Sequence, residues 1–189
     1  MSFDSILEKR RCVRSFKPTK KVSWKDAAEV LNSARFAPTP GGIHALKIIV
    51  IEEQSAKKKI ADACLGQAFI ADATYLIVVC SDLEQITRSY GKKAEVYARQ
   101  QAGAAIENMF LKITDMGLAT CWIGAFDDNA VRRELQLPDT IQVEAVLPIG
   151  YELGKSKPTE KPELKRFVRF NNWKTKYTAG WESTATSNE

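Results

Sequence analysis

The sequence has few of the residues that build metal sites or disulfide frameworks. Its 189 residues include a single histidine, His44, and four cysteines, none of which forms a CxxC pair. The ligand spacings typical of zinc sites are therefore absent. Cys64, Cys80 and Cys121 lie in apolar stretches, which indicates buried, reduced thiols. We expect no metal site in this chain.

Segments that would target or anchor the chain are also lacking. No apolar run is long enough to span a bilayer, and residues 1–11 carry charged side chains in place of the apolar core of a signal peptide. Hydrophobic residues make up 44% and charged residues 27%, as is typical of a globular protein. We expect a cytoplasmic protein with one domain over residues 1–175 and a disordered polar tail over 176–189.

Common nucleotide-binding and catalytic motifs are missing as well. The chain contains no GxGxxG motif, no P-loop motif and no GxSxG motif. These absences argue against a glycine-rich turn around a dinucleotide or triphosphate, and against a hydrolase serine at a strand-to-helix turn. No pair of carboxylates stands out as a hydrolytic acid and base.

The apolar pattern predicts alternating helices and strands. Short runs rich in β-branched side chains indicate strands, and longer segments without proline indicate helices. The predicted strands are 47–53, 74–80, 119–125 and 143–152, and the predicted helices are 3–11, 55–65, 93–116 and 128–135.

A further helix is predicted to begin at Ser23, because Ser23 and Asp26 resemble a capping box. We expect it to end before residues 37–42, where two prolines and two glycines predict a loop without regular structure. The residues that recur at helical spacing, and are expected to form its buried stripe, are Trp24, Ala28, Leu31 and Ala34.

Small side chains mark the middle of the helix predicted for residues 93–116. The segment 102–105 reads Ala-Gly-Ala-Ala. Glycine inside a helix costs about 1 kcal/mol relative to alanine, so a packing reason is plausible, such as the close approach of a flat ligand or another backbone. An alanine-rich helix packed on its own core explains the same segment equally well.

Three arginines lie within five residues at the end of the first predicted helix and just beyond it, at Arg10, Arg11 and Arg14. Guanidinium groups present a planar fork of donors that suits phosphate and carboxylate oxygens. A solvated basic helix end that complements the helix dipole is the alternative. A second basic stretch, residues 155–176, also carries three aromatic side chains, and we expect it to pack on a partner subunit.

Several segments together resemble the FMN-dependent nitroreductase family. The match begins with the arginine cluster, which resembles the family's RRSxRxF signature, and it runs in order to Tyr151, over about three-quarters of the chain. The matching segments are RRCVRSF at 10–16, APTPGG at 37–42, ACLGQ to ADA at 63–73, YARQ to AAIEN at 97–108, GLATCWIGAF at 117–126 and LPIGY at 147–151.

The resemblance implies an α+β fold, in which a sheet rich in antiparallel strands is flanked by helices. It also implies a homodimer that pairs through the long helix and exchanges C-terminal arms. FMN would bind at the dimer interface, with NAD(P)H as co-substrate. The flavin carries out the hydride chemistry, while the protein positions the cofactor, tunes it and excludes competing reactions.

The family pattern further implies which residues contact the cofactor. A cation near N1 of the flavin ring stabilises its reduced form, and Arg14 is the candidate for that role. The Gly124 N–H is expected near N5, and the loop 38–44 is expected from the partner chain. The full set of expected cofactor contacts is Arg10, Arg11, Cys12, Arg14, Pro38, Thr39, Gly41, Gly42, His44, Gln67, Trp122, Ile123, Gly124, Ala125 and Lys161.

The chain departs from the family pattern at several positions. Gly42 stands where most members have asparagine, His44 where they have glutamine, and Leu46 where they have tryptophan or tyrosine. Cys12 replaces a serine, and a thiol donates a weaker hydrogen bond to a phosphate.

Glu160 replaces an arginine of the family pattern, so the basic residue that closes on the phosphate is expected to be Lys161 or, alternatively, Lys157. His44 is the candidate catalytic residue, because an imidazole changes charge between about pH 5 and 8 and could protonate an acceptor. The alternative is that His44 only fills its loop.

The sequence therefore predicts an NAD(P)H-dependent FMN oxidoreductase that acts on a small organic acceptor, such as a nitroaromatic compound or a quinone. Dehalogenation, dehydrogenation and flavin breakdown also occur on this fold and are the alternative activities. A nucleic-acid-binding protein is a distant alternative suggested by the net charge of +5. The basic residues are not interleaved with aromatic side chains as stacking platforms require. We expect neither a nucleic-acid partner nor membrane contact.

Overall fold

A computed structural model describes residues 1–156 and 160–176 of the chain. Short 3-10 turns lie at Pro40–Gly42, Ala68–Asp72, Gly91–Lys93 and Leu164–Arg166. In chain order the described helices and strands are α1 (Phe3–Lys9), α2 (Trp24–Ala34), β1 (Leu46–Ile51), α3 (Gln54–Ala63), β2 (Tyr75–Asp82), α4 (Leu83–Tyr90), α5 (Ala94–Asp115), β3 (Ala119–Thr120), α6 (Asp128–Glu134) and β4 (Ile141–Gly150).

The strands form one antiparallel sheet in the order β1-β2-β4-β3. β2 pairs with β1 from Leu76, which lies opposite Ile51, to Ser81, which lies opposite Leu46. It pairs with β4 along its full length. A register shift between Val79 and Cys80 interrupts the second pairing. This arrangement of an antiparallel sheet flanked by helices confirms the predicted α+β class.

β2 is buried on both faces of the sheet, which explains its continuous apolar sequence. Leu76, Val78 and Cys80 belong to a core cluster that includes residues of α3 and α6. The alternate residues of β2 belong to a second cluster that includes residues of α2 and α5. Because successive side chains of a strand point to opposite faces, the sheet separates two cores.

α2 begins at its predicted cap but turns a different stripe toward the core. Ser23 Oγ accepts a hydrogen bond from the Asp26 N–H at 3.1 Å, and its hydroxyl donates to Asp26 Oδ2 at 2.8 Å. The expected stripe is wrong for Trp24, which is 58% exposed because it starts the helix at the rim and packs edge-on against Tyr75. The fully buried residues of the helix are Ala27, Val30 and Ala34.

Three other local predictions need correction. The strand predicted for 119–125 is only two residues long, and the chain then makes a single further bridge between Ile123 and Val146. The loop at 37–42 contains a 3-10 turn, Pro40–Gly42, since Gly41 adopts a φ of 55° that lets the chain turn tightly. α4 was not predicted, because Ile86 is the one side chain that it buries fully.

The chain divides into two units, Met1–Pro158 and Thr159–Glu189. In the second unit, Arg169 forms a bridge with Lys176 and its guanidinium lies 5.4 Å from the Trp173 ring centroid. Lys157 and most of the predicted tail at 176–189 lie outside the described residues. None of the helices described here is both long and apolar enough to cross a membrane.

Candidate functional site

The basic segment after α1 lies against the chain that follows β3. The Val13 N–H donates to the Thr120 carbonyl at 2.8 Å, and Phe16 forms a bridge with Glu152. Val13 and Phe16 are buried, which turns the intervening Arg14 outward to solvent. Two segments that are distant in sequence, 10–16 and 119–124, therefore form one surface.

Arg10 is held over this surface by two contacts with α5. Its Nε lies 3.2 Å from Glu107 Oε1, and its guanidinium lies 6.0 Å from the Phe110 ring centroid. The Phe110 ring in turn packs against Trp122, with 6.3 Å between centroids. These contacts orient the Arg10 side chain along α5.

Arg11 is paired within its own chain. Its Nη2 lies 2.5 Å from Glu152 Oε2, and its Nε is buried without a hydrogen-bond partner among the described residues. Burial acts to raise the pKa of Glu152, but hydrogen bonds from Ser156 and the charge of Arg11 outweigh it, and the pKa lies below its usual value. One edge of the Arg11 guanidinium is therefore already occupied.

Arg14 differs from its two neighbours because it is exposed and makes no ion pair with any residue in the described ranges. A guanidinium without a carboxylate partner keeps its donors available for an anionic ligand.

Cys12 is half-buried, and its thiol makes a hydrogen bond with the Cys121 thiol. This bond, the Trp122 N–H and the charges of Arg14 and Arg10 lower the pKa of Cys12 to about 6, against the opposing effect of burial. A thiolate accepts hydrogen bonds and donates none. The lowered pKa therefore makes the Cys12 sulfur a poorer donor to a phosphate than a serine hydroxyl would be.

The backbone after Cys121 is open to a ligand. Ile123 is buried and its backbone pairs with Val146 in both directions at 3.0 Å, which fixes this segment to the sheet. Trp122 is 40% exposed, and Gly124 and Ala125 are exposed. A Cβ placed on Gly124 would meet only the Trp122 indole, at 3.8 Å. A flat ring can therefore approach this backbone closely.

The family model described as "Nitroreductase family" matches residues 7–72 and 65–151. The chain belongs to the nitroreductase family. The two segments that meet at the basic surface lie inside the matched ranges, so the family assignment and the geometry concern the same part of the molecule.

Two relatives of the family show how far the similarity extends. A nitroreductase-type protein of Methanocaldococcus jannaschii, MJ1384, is 30% identical over 106 residues, which are 56% of this chain and about half (52%) of that protein. An Archaeoglobus fulgidus protein described as an NADH dehydrogenase/NAD(P)H nitroreductase is 27% identical over 146 residues, 75% of this chain and 80% of that protein.

Solved nitroreductase structures share the fold. The FMN-dependent nitroreductase of Clostridium difficile R20291 superposes with a TM-score of 0.76 at 24% identity, covering 89% of this chain and 98% of that chain. The similarity extends over nearly the whole of that structure and establishes the same architecture of sheet and helices.

The loop at residues 38–44 lines two cavities, and none of Arg10, Arg11 and Arg14 is among their lining residues. One, of about 390 Å³, is also lined by Tyr90 and Tyr97, and the other, of about 300 Å³, by His44 and Leu46. Among the described residues, no hydrogen bond or ion pair joins this loop to residues 10–14. Within one chain, the loop and the basic surface are separate candidate regions.

The two other predicted cofactor contacts are Gln67 and Lys161. The Gln67 side chain donates to the Cys64 carbonyl at 2.8 Å and so closes the turn after α3. Lys161 is exposed in the second unit of the chain.

Several residues that contact the predicted ones were not singled out from the sequence. Glu107 and Glu152 pair with two of the predicted arginines, and Cys121 bonds to the predicted Cys12. Glu107 and Cys121 lie within matching family segments, but no spacing rule relates them to residues 10–12.

The residues present on the basic surface fit an anionic cofactor with a flat ring. Arg14 supplies a cation that makes no ion pair among the described residues, and Trp122 supplies an exposed aromatic face. At Gly124 the backbone is open, because a Cβ there would contact only the Trp122 indole. FMN combines a phosphate dianion with such a ring, so the donor set and the shape agree with it.

Proposed function

We propose that this protein is an FMN-dependent oxidoreductase that uses NAD(P)H to reduce a small organic acceptor, such as a nitroaromatic compound or a quinone. The observation that carries the proposal is the single open surface formed by Arg14, Trp122 and Gly124. The names of the A. fulgidus relative and of the C. difficile R20291 structure agree with it in naming NAD(P)H and FMN.

Bound FMN supplies the two-electron chemistry, and the chain supplies the binding surface. Arg14 binds an anionic edge of the cofactor, and Trp122 and Gly124 hold its ring against the backbone. The pairing of Arg10 with Glu107 and of Arg11 with Glu152 fixes two more guanidiniums beside that surface without making them the principal cation.

We propose a homodimer in which the loop 38–44 of one chain completes the surface of the other. Support comes from the outer side of α5, where Val96 is 54% exposed and a Cβ on Gly103 would meet no atom within 4 Å. Pro38, Thr39 and Gly42 then contact the cofactor from the partner. Exposed apolar residues on a helix face favour association.

His44 stays the candidate catalytic residue of this proposal. It is exposed at the mouth of the 300 Å³ cavity, next to Leu46 and Gln101. From this position an imidazole can exchange protons with solvent and with an acceptor held in the cavity.

The test begins with the purified protein, whose flavin is released by heat and identified by chromatography. We expect noncovalent FMN at about one per chain. Stopped-flow reduction with NADH and NADPH, followed by mixing with nitroaromatic, quinone and iodophenol acceptors, then defines the reaction and separates reduction from dehalogenation. Release of FAD, or failure of the protein to bind any flavin on reconstitution, would contradict the proposal.

A further inference from the structure

Two cysteines that are far apart in the chain meet beside the basic surface. The 2.8 Å hydrogen bond from the Val13 N–H to the Thr120 carbonyl holds the two segments side by side. Cys12 and Cys121 each lie one residue from that bond, so the pairing of the two segments places their thiols near enough to interact. Cys121 is fully buried whereas Cys12 is half-buried, so solvent and small oxidants reach the pair through Cys12.

The surroundings distinguish Cys12 from the other thiols of the chain. The hydrogen bond from Cys121 is the largest of the effects that lower the pKa of Cys12 to about 6, and the Arg14 and Arg10 guanidiniums add to it. The hydrogen bond with Cys12, followed by burial, raises the pKa of Cys121 above its usual value. Cys12, the more exposed thiol and the one nearer the two guanidiniums, is therefore the member of the pair expected to react first, and Cys121, whose thiol also donates to the Trp122 carbonyl at 4.0 Å, is the second thiol.

Cys64 and Cys80 provide an internal comparison. Both are fully buried, and burial raises the pKa of Cys64 to about 11 and that of Cys80 to about 12. Neither interacts with another cysteine of the described residues, and both are protonated at neutral pH. Since thiolates are the reactive form of cysteine, oxidation is expected to select Cys12.

We propose that Cys12 and Cys121 form a redox-active dithiol that reduces peroxides and closes to an intramolecular disulfide. The Cys12 sulfur attacks a peroxide oxygen, forming an S–O bond as the O–O bond breaks, and the leaving oxygen takes up a proton. Cys121 then attacks the Cys12 sulfenic acid, forming the S–S bond and releasing water. For hydrogen peroxide, two thiols and one peroxide give one disulfide and two waters.

The dithiol is restored by an external dithiol through thiol–disulfide exchange. Formation of the disulfide turns the Cys12 thiolate beside Arg10 and Arg14 into a neutral sulfur, and reduction restores the thiolate. The activity requires no flavin, so its failure and the failure of the proposed flavin chemistry are separate outcomes.

The test titrates the reduced, full-length protein with hydrogen peroxide at pH 7, quenches with an alkylating reagent, and maps peptides by mass spectrometry without reduction. We expect a Cys12–Cys121 linked peptide, formed by one equivalent of peroxide per chain and removed by a dithiol reductant. Cys64 and Cys80 are expected to react on the order of 100-fold more slowly, since their smaller thiolate fraction outweighs their greater nucleophilicity.

Variants then separate the role of Cys12, which attacks the peroxide, from that of Cys121, which closes the disulfide. Cys121→Ser leaves a donor to Cys12 but no second thiol, so Cys12 sulfenic acid is expected to accumulate and to be trapped by a cyclic diketone. Cys64→Ser serves as the matched control and is expected to behave as the wild type. Should Cys121→Ser not fold, the wild-type peptide map decides alone. A Cys12 that oxidises as slowly as Cys64, or a wild type that yields Cys12 sulfinic acid or a link between two chains in place of Cys12–Cys121, overturns the proposal.

Discussion

Arg11 Nη2 lies 2.5 Å from Glu152 Oε2, so an arginine of the N-terminal cluster is tied to the chain just after β4. Glu152 also accepts a hydrogen bond from the Ser156 N–H through Oε1, at 2.6 Å. With both carboxylate oxygens engaged, Glu152 anchors the extended segment that carries Arg10, Cys12 and Arg14 to the edge of the sheet.

Replacing this carboxylate gives the first prediction. The pKa of Glu152 is below its usual value of 4.5, so its contribution to stability is present above about pH 4.5 and is lost as pH falls through the lower, folded-state pKa. Glu152→Gln leaves the partly buried Arg11 without a counter-charge, and we expect it to lower the free energy of unfolding by about 1–3 kcal/mol at pH 7.

Urea unfolding at pH 7 and at pH 3.5 measures this effect. The difference between Glu152→Gln and the wild type is expected to shrink at the lower pH. Glu134→Gln removes a more exposed ion pair with Lys59 and is the control, with an expected cost of at most about 1 kcal/mol. Equal losses for the two variants at pH 7 would show that the Arg11 pair is no more than a surface contact.

The second prediction concerns Arg14, which makes no ion pair among the described residues and is the cation proposed to bind FMN. We expect Arg14→Ala to weaken FMN binding about 10- to 100-fold, since a charge-assisted hydrogen bond contributes about 1.5–3 kcal/mol. Loss of a cation near the reduced ring should also lower the flavin potential, by about 30 mV for each 1.4 kcal/mol. Fluorescence titration with FMN and dye-linked potentiometry measure the two effects.

Arg133→Ala is the matched control for Arg14→Ala. Arg133 is exposed on α6, and its removal changes the net charge of the chain by the same amount. If the two variants bound FMN equally well and had the same flavin potential, Arg14 would be only a solvated surface residue.

The third prediction uses Gly103 to separate dimerisation from folding. Apart from the adjoining backbone of α5, a Cβ at Gly103 would meet no atom of the described residues within 4 Å, so a larger side chain fits the isolated chain. We expect Gly103→Arg to fold normally but to dissociate the dimer, because the charged side chain would lie in the proposed interface. Analytical ultracentrifugation reports the mass, and circular dichroism reports the helix content.

Gly103→Ala is the control for this helix position. Alanine is a better helix former than glycine, so the variant is expected to keep the dimer and to gain about 0.5–1 kcal/mol of stability. A Gly103→Arg protein that stayed dimeric would place the interface elsewhere on the chain.

The sequence predicted features that depend on neighbouring residues better than features that depend on contacts between distant parts of the chain. α5 was located because its long segment lacks proline, β2 because its apolar run is continuous, and the start of α2 because Ser23 caps it locally. The partners of Arg11 and Cys12 lie more than a hundred residues away and are brought near by the sheet, so no local pattern indicated them. Such pairings depend on tertiary packing, which local propensity does not encode.

The loop after α2 provides the last prediction. Gly41 has a φ of 55° and Gly42 a φ of 77°, and both lie in the left-handed region, which costs a residue with a Cβ about 1–2 kcal/mol. A Cβ on Gly41 would also overlap the Tyr90 hydroxyl oxygen, whereas a Cβ on Gly42 would meet nothing within 4 Å. Gly41→Ala is therefore expected to destabilise the protein more than Gly42→Ala, and to displace Tyr90 from the wall of the 390 Å³ cavity.

Tyr90→Phe removes the overlapping oxygen, so in that background the Gly41→Ala substitution should cost no more stability than Gly42→Ala does. Chemical unfolding of the single and double variants measures this coupling, and a KM for the acceptor that rises in Gly41→Ala but not in Gly42→Ala would connect the Tyr90 wall to acceptor binding. If Gly41→Ala cost the same with and without the Tyr90 hydroxyl, backbone strain alone would account for the glycine, and the contact with Tyr90 would have no part in shaping the cavity.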